Sequence, residues 1–236
     1  MAEEKKRIGV AVGGQDAREV LGRIRHLEEL GIQAAWLTTS GAGRDGLTVF
    51  AAAAAQTQHI MMGTSIIPLW PRHPVAVAQQ VRVIAELAPG RFRLGVGPSH
   101  QAAMERLMRA DFRAPLGHLR EYLQILKPLL QKGQVDYDGR YYHAHVPMGA
   151  ACDVPVMASA LRRRSFQLCG EEADGAITWV CPGQYLKEVA MPALKEGARA
   201  RGRETPPLLA HAPVCVHGDA AEARAAMREQ MGAYPA

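Results

Sequence analysis

The chain has 236 residues, 48% of them hydrophobic, and a formal net charge of +5, which suits one large globular domain or two small ones. So modest a charge excludes nucleic acid as the expected partner and is compatible with a small anionic ligand. No apolar run reaches the roughly 18 residues of a membrane span, and "MAEEKKRIGV" carries no apolar segment of the kind that marks a secretory signal. Four cysteines, Cys152, Cys169, Cys181 and Cys215, form no C-x-x-C pair, so neither a zinc site nor a small disulfide framework is expected and a cytoplasmic protein is.

Strand-like and helix-like stretches alternate along the chain. "RIGVAVGG" opens as a short apolar strand, and "DAREVLGRIRHLEELG" places Val20, Leu21, Ile24, Leu27 and Leu30 at helical spacing. Asp16 with Glu19 reads as a capping pair and Gly31 as the helix stop. "QAAWLTT" is a second strand, followed by a helix through the alanines of "FAAAAAQT", and "MMGTSIIPLW" is a third strand. Pro74 starts a helix turning Val77, Val81, Ile84 and Leu87 inward and ending at Pro89-Gly90. "RFRLGVG" is the fourth strand, and the long helix "HLREYLQILKPLLQKG" carries a stripe of Leu119, Tyr122, Leu126 and Leu129. "VDYDGRYY" reads as a hairpin turning on Asp138-Gly139. "VPVMASA", "AITWV" and "LLAHAPVCV" supply three more strands, each followed by a helical segment. "RARGR" (199–203) reads as a solvated helix end.

Repeated strand–helix units imply a parallel sheet covered by helices. Of the two architectures that fit, a doubly wound sheet and a (β/α)₈ barrel, the barrel is preferred, because unusual residues cluster just after the strands: Thr38-Thr39, Pro68, Gly97 to His100, Ser159 and Trp179 to Cys181. Seven strands can be read, so the expected fold is a TIM-type barrel lacking its eighth strand. The gap between "IGVAV" and "LLAHAPVCV" is expected to stay open or to be covered by the terminal helix or a partner subunit.

In "LAPGRFRLGVGPSH" (87–100), Gly95 and Gly97 share one face of a strand, a pattern that marks close approach of a ligand or of a neighbouring backbone. It is not a dinucleotide fingerprint, because His100 holds the third glycine position and Pro98 interrupts the entry. His100 is placed to donate to a ligand or to exchange a proton near neutral pH. His73, in "PRHP", precedes a helix and suits backbone groups there. No Ser-His-Asp arrangement or metal-ligand spacing is present.

Taken in order, "GTSIIPLWPRHPVAVAQQ", "LAPGRFRLGVGPSH", "HLREYLQILKPLL" and "CGEEADGAITWV" resemble the bacterial-luciferase-like family of flavin- and deazaflavin-dependent oxidoreductases over essentially the whole chain. The "PRHP" and "APGRFRLGVGPSH" pieces look most like the subgroup that uses coenzyme F420. The resemblance implies one TIM-barrel domain over 1–236, with the tricyclic ring at the C-terminal ends of the strands. It places Gly95 and Gly97 against that ring, Thr39 and Ser99 beside it, and a non-prolyl cis peptide at Ser65-Ile66 behind it. Ala158, Ser159 and Ala160 lead into a helix start suited to a phosphate. There Arg164 is the better-matched arginine, since Arg162-Arg163 stand where relatives carry Gly-Pro; solvated arginines are the alternative. Trp179 is either a pocket wall or a core residue, and His100 is the candidate catalytic residue. The implied activity is hydride transfer between F420 and a small organic substrate, with no metal. The alternatives are an FMN-dependent monooxygenase and a non-catalytic flavin-binding protein with an incomplete barrel. A small-molecule substrate is the expected partner, with no nucleic acid and no membrane; a homodimer is left open.

Overall fold

The computed structural model describes residues 8–39 and 41–232. Strand β1 (Gly9–Ala11) is followed by α1 (Ala17–Glu29), which begins where the sequence places it. Asp16 accepts from the Glu19 N–H at 2.8 Å, which satisfies a first-turn donor without a helical partner, and the Glu19 carboxylate accepts from the Gln15 N–H just before the cap at 2.6 Å. Gly31, at φ 73°, follows its end. Val20 and Ile24 are buried, whereas Leu30 is exposed because it caps the helix beyond the covered stripe.

Next come β2 (Ala34–Leu37), α2 (Gly46–Ala54), β3 (Met61–Thr64), β4 (Ile67–Pro68), α3 (Pro74–Leu87) and β5 (Phe92–Gly97). The third strand expected from the sequence is thus split in two. In α3, Val77, Val81 and Ile84 are fully buried, but Leu87 lies in the last turn and is 47% exposed, contrary to expectation. His73 caps this helix, its Nδ1 accepting from the Val75 N–H at 3.3 Å, as its position before Pro74 suggests.

After β5 a helix that the sequence reading lacks, α4 (Gln101–Met108), precedes α5 (Pro115–Lys132). The α5 stripe of Leu119, Tyr122, Leu126 and Leu129 is buried as expected. The hairpin is β6 (Gln134–Asp138) paired antiparallel with β7 (His143–Pro147). Then follow β8 (Val156–Ser159), α6 (Arg163–Glu172), β9 (Gly175–Ile177), α7 (Gly183–Tyr185), a π turn over Leu186–Ala190, α8 (Met191–Ala200), β10 (Leu208–Leu209) and α9 (Ala220–Met231).

The main sheet is parallel in the order β1-β2-β3-β5-β8-β9-β10, with β4 prolonging the third position against β5. Strands laid down in chain order, each returning through a helix, make a barrel wall; a doubly wound sheet would place its later strands on the other side of its first. Alternate residues face the helices and form the core there: Ala35 and Leu37, Met62, Leu94 and Val96, and Val156 and Ala158.

Among the described residues no strand joins β1 to β10, the outermost strands of the wall. All three residues of β1 are exposed. The last strand is only two residues long, and Val214 and Val216, expected inside it, are 79% and 94% exposed. A strand with one neighbour keeps only the ladder that neighbour offers, so β10 ends where β9 ends. Helix α9 has no buried residue and therefore covers neither edge.

"RARGR" ends α8 with residues 199–202 exposed, as expected, while Arg203 is partly covered. Arg203 donates to the carbonyls of Gly170, Glu171 and Ala173 at 3.4, 2.9 and 2.8 Å, and Arg201 pairs with Glu172 at 3.1 Å. Both guanidinium groups sit on the C-terminal end of α6, where cations complement exposed carbonyls.

Candidate functional site at the C-terminal ends of the strands

The inward face of the wall can be followed residue by residue. A Cβ added at Gly9 or at Gly63 would meet the Trp36 ring at 2.6 and 2.4 Å. Trp36 therefore lies inside, over glycines of both neighbouring strands, and fills the lower part of the interior. Two residues on, Thr38 faces Ser65. A Cβ at Gly95 would meet Ile177 Cδ1, and one at Gly97 would meet Ser159 Oγ, so these side chains also point inward. Leu209 is paired with Ile177 and shares its face.

The break between β3 and β4 has a visible local cause. The Thr64 hydroxyl accepts from the Gly95 N–H and donates to the Gly95 carbonyl, both at 2.8 Å, and so stands in for the ladder partner that β3 no longer supplies. The Ser65–Ile66 peptide bond is cis, at the position that the resemblance implies. It is held from the β2 side: the Ser65 N–H donates to Leu37 O at 2.7 Å, the Ser65 carbonyl accepts from the Thr38 hydroxyl at 2.8 Å, and the Ile66 carbonyl accepts from the Thr39 N–H at 3.2 Å.

Other expected site residues fall into two groups. Ser65, Ile66, Gly97, Ser159 and Trp179 are gathered at the C-terminal ends of the strands, and Ser99, at φ 61°, follows β5 there. Thr39 is buried and turned away, its hydroxyl accepting from the Gly46 N–H at the start of α2 at 3.0 Å. Ala158 and Ala160 are buried on either side of Ser159, so only Ser159 of the three presents its side chain to the interior. Gly95 does not leave a bare face: the space of its missing side chain is taken by the Thr64 carbonyl, 2.0 Å from an added Cβ, and by Ile177. Crowding by neighbouring strands accounts for this glycine.

At the start of α6 the backbone is partly committed. The N–H groups of Leu161 and Arg162 donate to Ser165 Oγ at 3.2 and 3.0 Å, and Arg163 pairs with Glu196 of α8. This narrows the expected phosphate cradle to the next N–H groups of the first turn. Arg164 is exposed beside them. His100 is the exposed N-cap of α4, and its side chain makes no capping bond.

The sequence reading missed Trp36 and Ile177, which point inward, and His211, which lies against Trp179. The His211 ring meets Trp179 edge to face at 4.4 Å, and burial lowers its pKa below the ordinary histidine range. The signal for Trp36 lay in Gly9 and Gly63, but only the strand register brings them to it. Large apolar side chains stay exposed around this mouth: Leu161 (46%) after β8, Val180 (38%) after β9, and Leu107 (46%) on α4. A separate cavity of about 220 Å³, lined by Met61, Arg93, Cys152 and Pro155, lies at the opposite, N-terminal ends of the strands and touches none of the expected residues. Among the described residues no group of three or more His, Cys, Asp or Glu is placed to hold a metal, and no helix is long and apolar enough to cross a membrane.

Comparison with known proteins agrees with this layout. An F420-dependent glucose-6-phosphate dehydrogenase of Beutenbergia cavernae is 33% identical over 175 residues, 71% of this chain and 52% of that protein. A 5,10-methylenetetrahydromethanopterin reductase of Methanolobus tindarius is 27% identical over 204 residues, 84% of this chain and 62% of that one. The chain thus spans about half to two-thirds of the length of such relatives. Among solved structures, an F420-dependent secondary alcohol dehydrogenase in complex with an F420–acetone adduct superposes with a TM-score of 0.85 at 20% identity, over 96% of this chain and 74% of that one. The coenzyme F420-dependent tetrahydromethanopterin reductase of Methanopyrus kandleri gives 0.83 at 22% identity, over 97% and 72%. These two likenesses establish the fold, and the sequence pattern of luciferase-like monooxygenases extends over residues 3–236. A barrel wall in chain order, a mouth at its C-terminal ends and a family pattern of that extent make this chain a member of the luciferase-like monooxygenase family.

Proposed function

We propose that this protein is an oxidoreductase that transfers a hydride between coenzyme F420 and a small organic substrate, working as a single barrel domain in the cytoplasm. The observation that carries the reading is the apolar rim of the mouth, where Leu107, Leu161 and Val180 stay exposed above an inward face reduced to Gly97 and Ser159. A flat tricyclic ring fits such a place, since monomers gain nothing from leaving large apolar groups in water unless something covers them. Ser65, Ile66, Gly97, Ser159 and Trp179 would hold the ring, with Ser99 beside it. The free N–H groups of the first turn of α6, with Arg164, would hold the phosphate. The deazaflavin supplies the hydride chemistry when bound; the chain supplies orientation, a dry wall and proton exchange. Similarity to F420-dependent relatives supports this cofactor, and four free thiols fit a reducing compartment.

Titration of the purified protein with F420 and with FMN, followed by cofactor fluorescence and absorbance, tests the reading. Saturable binding of F420 at concentrations where FMN does not bind is the expected result. Tighter binding of FMN would replace the proposal with a flavin-dependent oxygenase, and binding of neither would overturn it.

A further inference from the structure

The cavity of about 220 Å³ at the N-terminal ends of the strands takes no part in the mouth, and its lining carries two charges that do not meet. Arg93 stands on the inward face of β5, since it alternates with Gly95 and Gly97 and is paired with Gly63. It is half-buried, and among the described residues its guanidinium has neither a hydrogen bond nor an ion pair. The neighbouring arginines are committed elsewhere: Arg82 to Glu86 at 3.0 Å and to the Met148 carbonyl, Arg91 to groups of Ala54, Thr57 and Ile60.

Asp153 lines the same cavity, is exposed, and among the described residues its carboxylate likewise has no bonded partner. Its position is fixed from behind: the N–H groups of Cys152 and Asp153 both donate to Leu130 O of the last turn of α5, at 2.8 and 3.2 Å. The end of α3 borders the cavity through Ala85 and Ala88. There the Ala85 carbonyl lacks a helical partner, because the residue four on is Pro89, which has no N–H, and a helix C-terminus favours positive charge. Met61, Phe92, Val154 and Pro155 supply apolar walls, and burial pushes the Cys152 thiol up, so that it stays uncharged.

We propose that this cavity binds a small zwitterion, an α-amino acid with an apolar side chain: its carboxylate pairs with Arg93, its ammonium faces Asp153 and the end of α3, and its side chain lies on Met61 and Phe92. Two opposite charges on one small cavity that do not close on each other each need a counter-charge, and one molecule carrying both signs satisfies them together. A plain anion would meet the Asp153 carboxylate, and a plain cation the Arg93 guanidinium. The volume is below the roughly 300–1,000 Å³ of pockets for drug-sized ligands, which suits a single amino acid. The site lies at the far end of the strands from the mouth, so the proposal stands apart from the F420 reading.

Calorimetric titration of the cofactor-free protein tests it. L-Leucine or L-methionine should bind saturably, with a Kd at or below about 1 mM, and should raise the melting temperature with concentration. 4-Methylpentanoate, which lacks the ammonium, and 3-methylbutylamine, which lacks the carboxylate, should each bind at least about tenfold more weakly than L-leucine. Arg93→Met keeps an apolar stem and removes the charge. Asp153→Asn removes the other charge and keeps the backbone at φ 45°, which asparagine tolerates. Each variant, shown to be folded by circular dichroism, should weaken binding of the amino acid at least about tenfold. Failure of both amino acids to bind, a deaminated or decarboxylated analogue that binds as tightly as L-leucine, or full affinity in either variant overturns the proposal.

Discussion

Replacing Gly95 and Gly97 separately with alanine should have unequal costs, and the inequality follows from what stands in the way. At Gly95 the added Cβ lies 2.0 Å from the Thr64 carbonyl oxygen and 2.5 Å from Ile177 Cδ1. That carbonyl belongs to backbone fixed on its far side by the Ser65 N–H to Leu37 bond of 2.7 Å and the Thr38 bond to Ser65 O of 2.8 Å. The clash is therefore relieved only by moving β5 from β3. Overpacking costs about 1–3 kcal/mol, offset by about 0.5–1 kcal/mol for removing a glycine from a strand. With a rigid obstacle the upper end applies, so Gly95→Ala should lose about 2 kcal/mol. At Gly97 the nearest atom is Ser159 Oγ at 2.0 Å, a side-chain end that can rotate, with Ser159 Cβ behind it at 2.9 Å; Gly97→Ala should cost less than about 1 kcal/mol. In Gly97→Ala/Ser159→Ala the two changes should couple favourably by at least about 0.5 kcal/mol. Urea unfolding followed by circular dichroism and fluorescence together measures these values, coincidence of the two transitions justifying the two-state treatment. Melting shifts should run at about 2–4 °C per kcal/mol. Gly95→Ala as stable as wild type, or costing less than Gly97→Ala, would refute the crowding explanation and return Gly95 to the role of leaving room for a ligand.

Thr64→Val keeps the shape but leaves the buried Gly95 N–H and carbonyl without partners, so it should cost about 2–4 kcal/mol in the same unfolding assay, whereas Thr64→Ser should stay within about 1 kcal/mol. The Glu28 carboxylate accepts from the N–H groups of Gln58, His59 and Ile60 at 3.0, 2.7 and 2.9 Å; burial works against its ionisation, but these donors outweigh it and hold the pKa below the usual carboxylate range. A depressed folded pKa gives stability that is present above the unfolded value and lost as pH falls through the folded one, so the deficit of Glu28→Gln in urea should be plain at pH 7 and shrink below about pH 4. The open β1 edge, with Ile8 at 70% and Val10 at 37% exposure, should promote self-association that rises with protein concentration in light scattering and falls in Val10→Lys; a monodisperse monomer at every concentration would count against it.

What could be read in the sequence was whatever depends on neighbours along the chain. The capping pair Asp16 and Glu19, the α5 stripe and the hairpin each rest on local spacing. What escaped depends on partners far away. "MMGTSIIPLW" reads as one strand because its break is set by hydroxyls of Thr64 and Thr38 reaching Gly95 and Ser65. Helix α4 buries only Met104, so it shows no periodic stripe to find. Arg203 looks solvated until α6, some thirty residues earlier, is folded beneath it. The same division holds at the mouth. Gly97, Ser159 and Trp179 stand out in the sequence by their place at or just after the strands and Ser65 by motif resemblance, whereas His211 lies in an irregular stretch with no motif and is revealed only by its contact with Trp179.

The two ends of the barrel interior are built on opposite principles, and this explains how an open wall can still carry a defined mouth. At the bottom one large ring, Trp36, is accommodated by the glycines Gly9 and Gly63 on the strands beside it, so β1, β2 and β3 are locked in register by packing. At the top the inward side chains are small or absent at Ser65, Gly97 and Ser159, and order comes instead from hydrogen bonds: Thr38 and Thr39 to the Ser65–Ile66 carbonyls, Thr64 to Gly95, and Leu69 N–H to Gly97 O at 3.1 Å. None of these contacts involves β1 or β10 above the Trp36 level. At β1, whose residues are all exposed, water can satisfy the ladder groups that face away from the sheet. The ends of β2, β3, β4 and β5 therefore fix the mouth by their own polar contacts, independently of whether the wall closes on the far side.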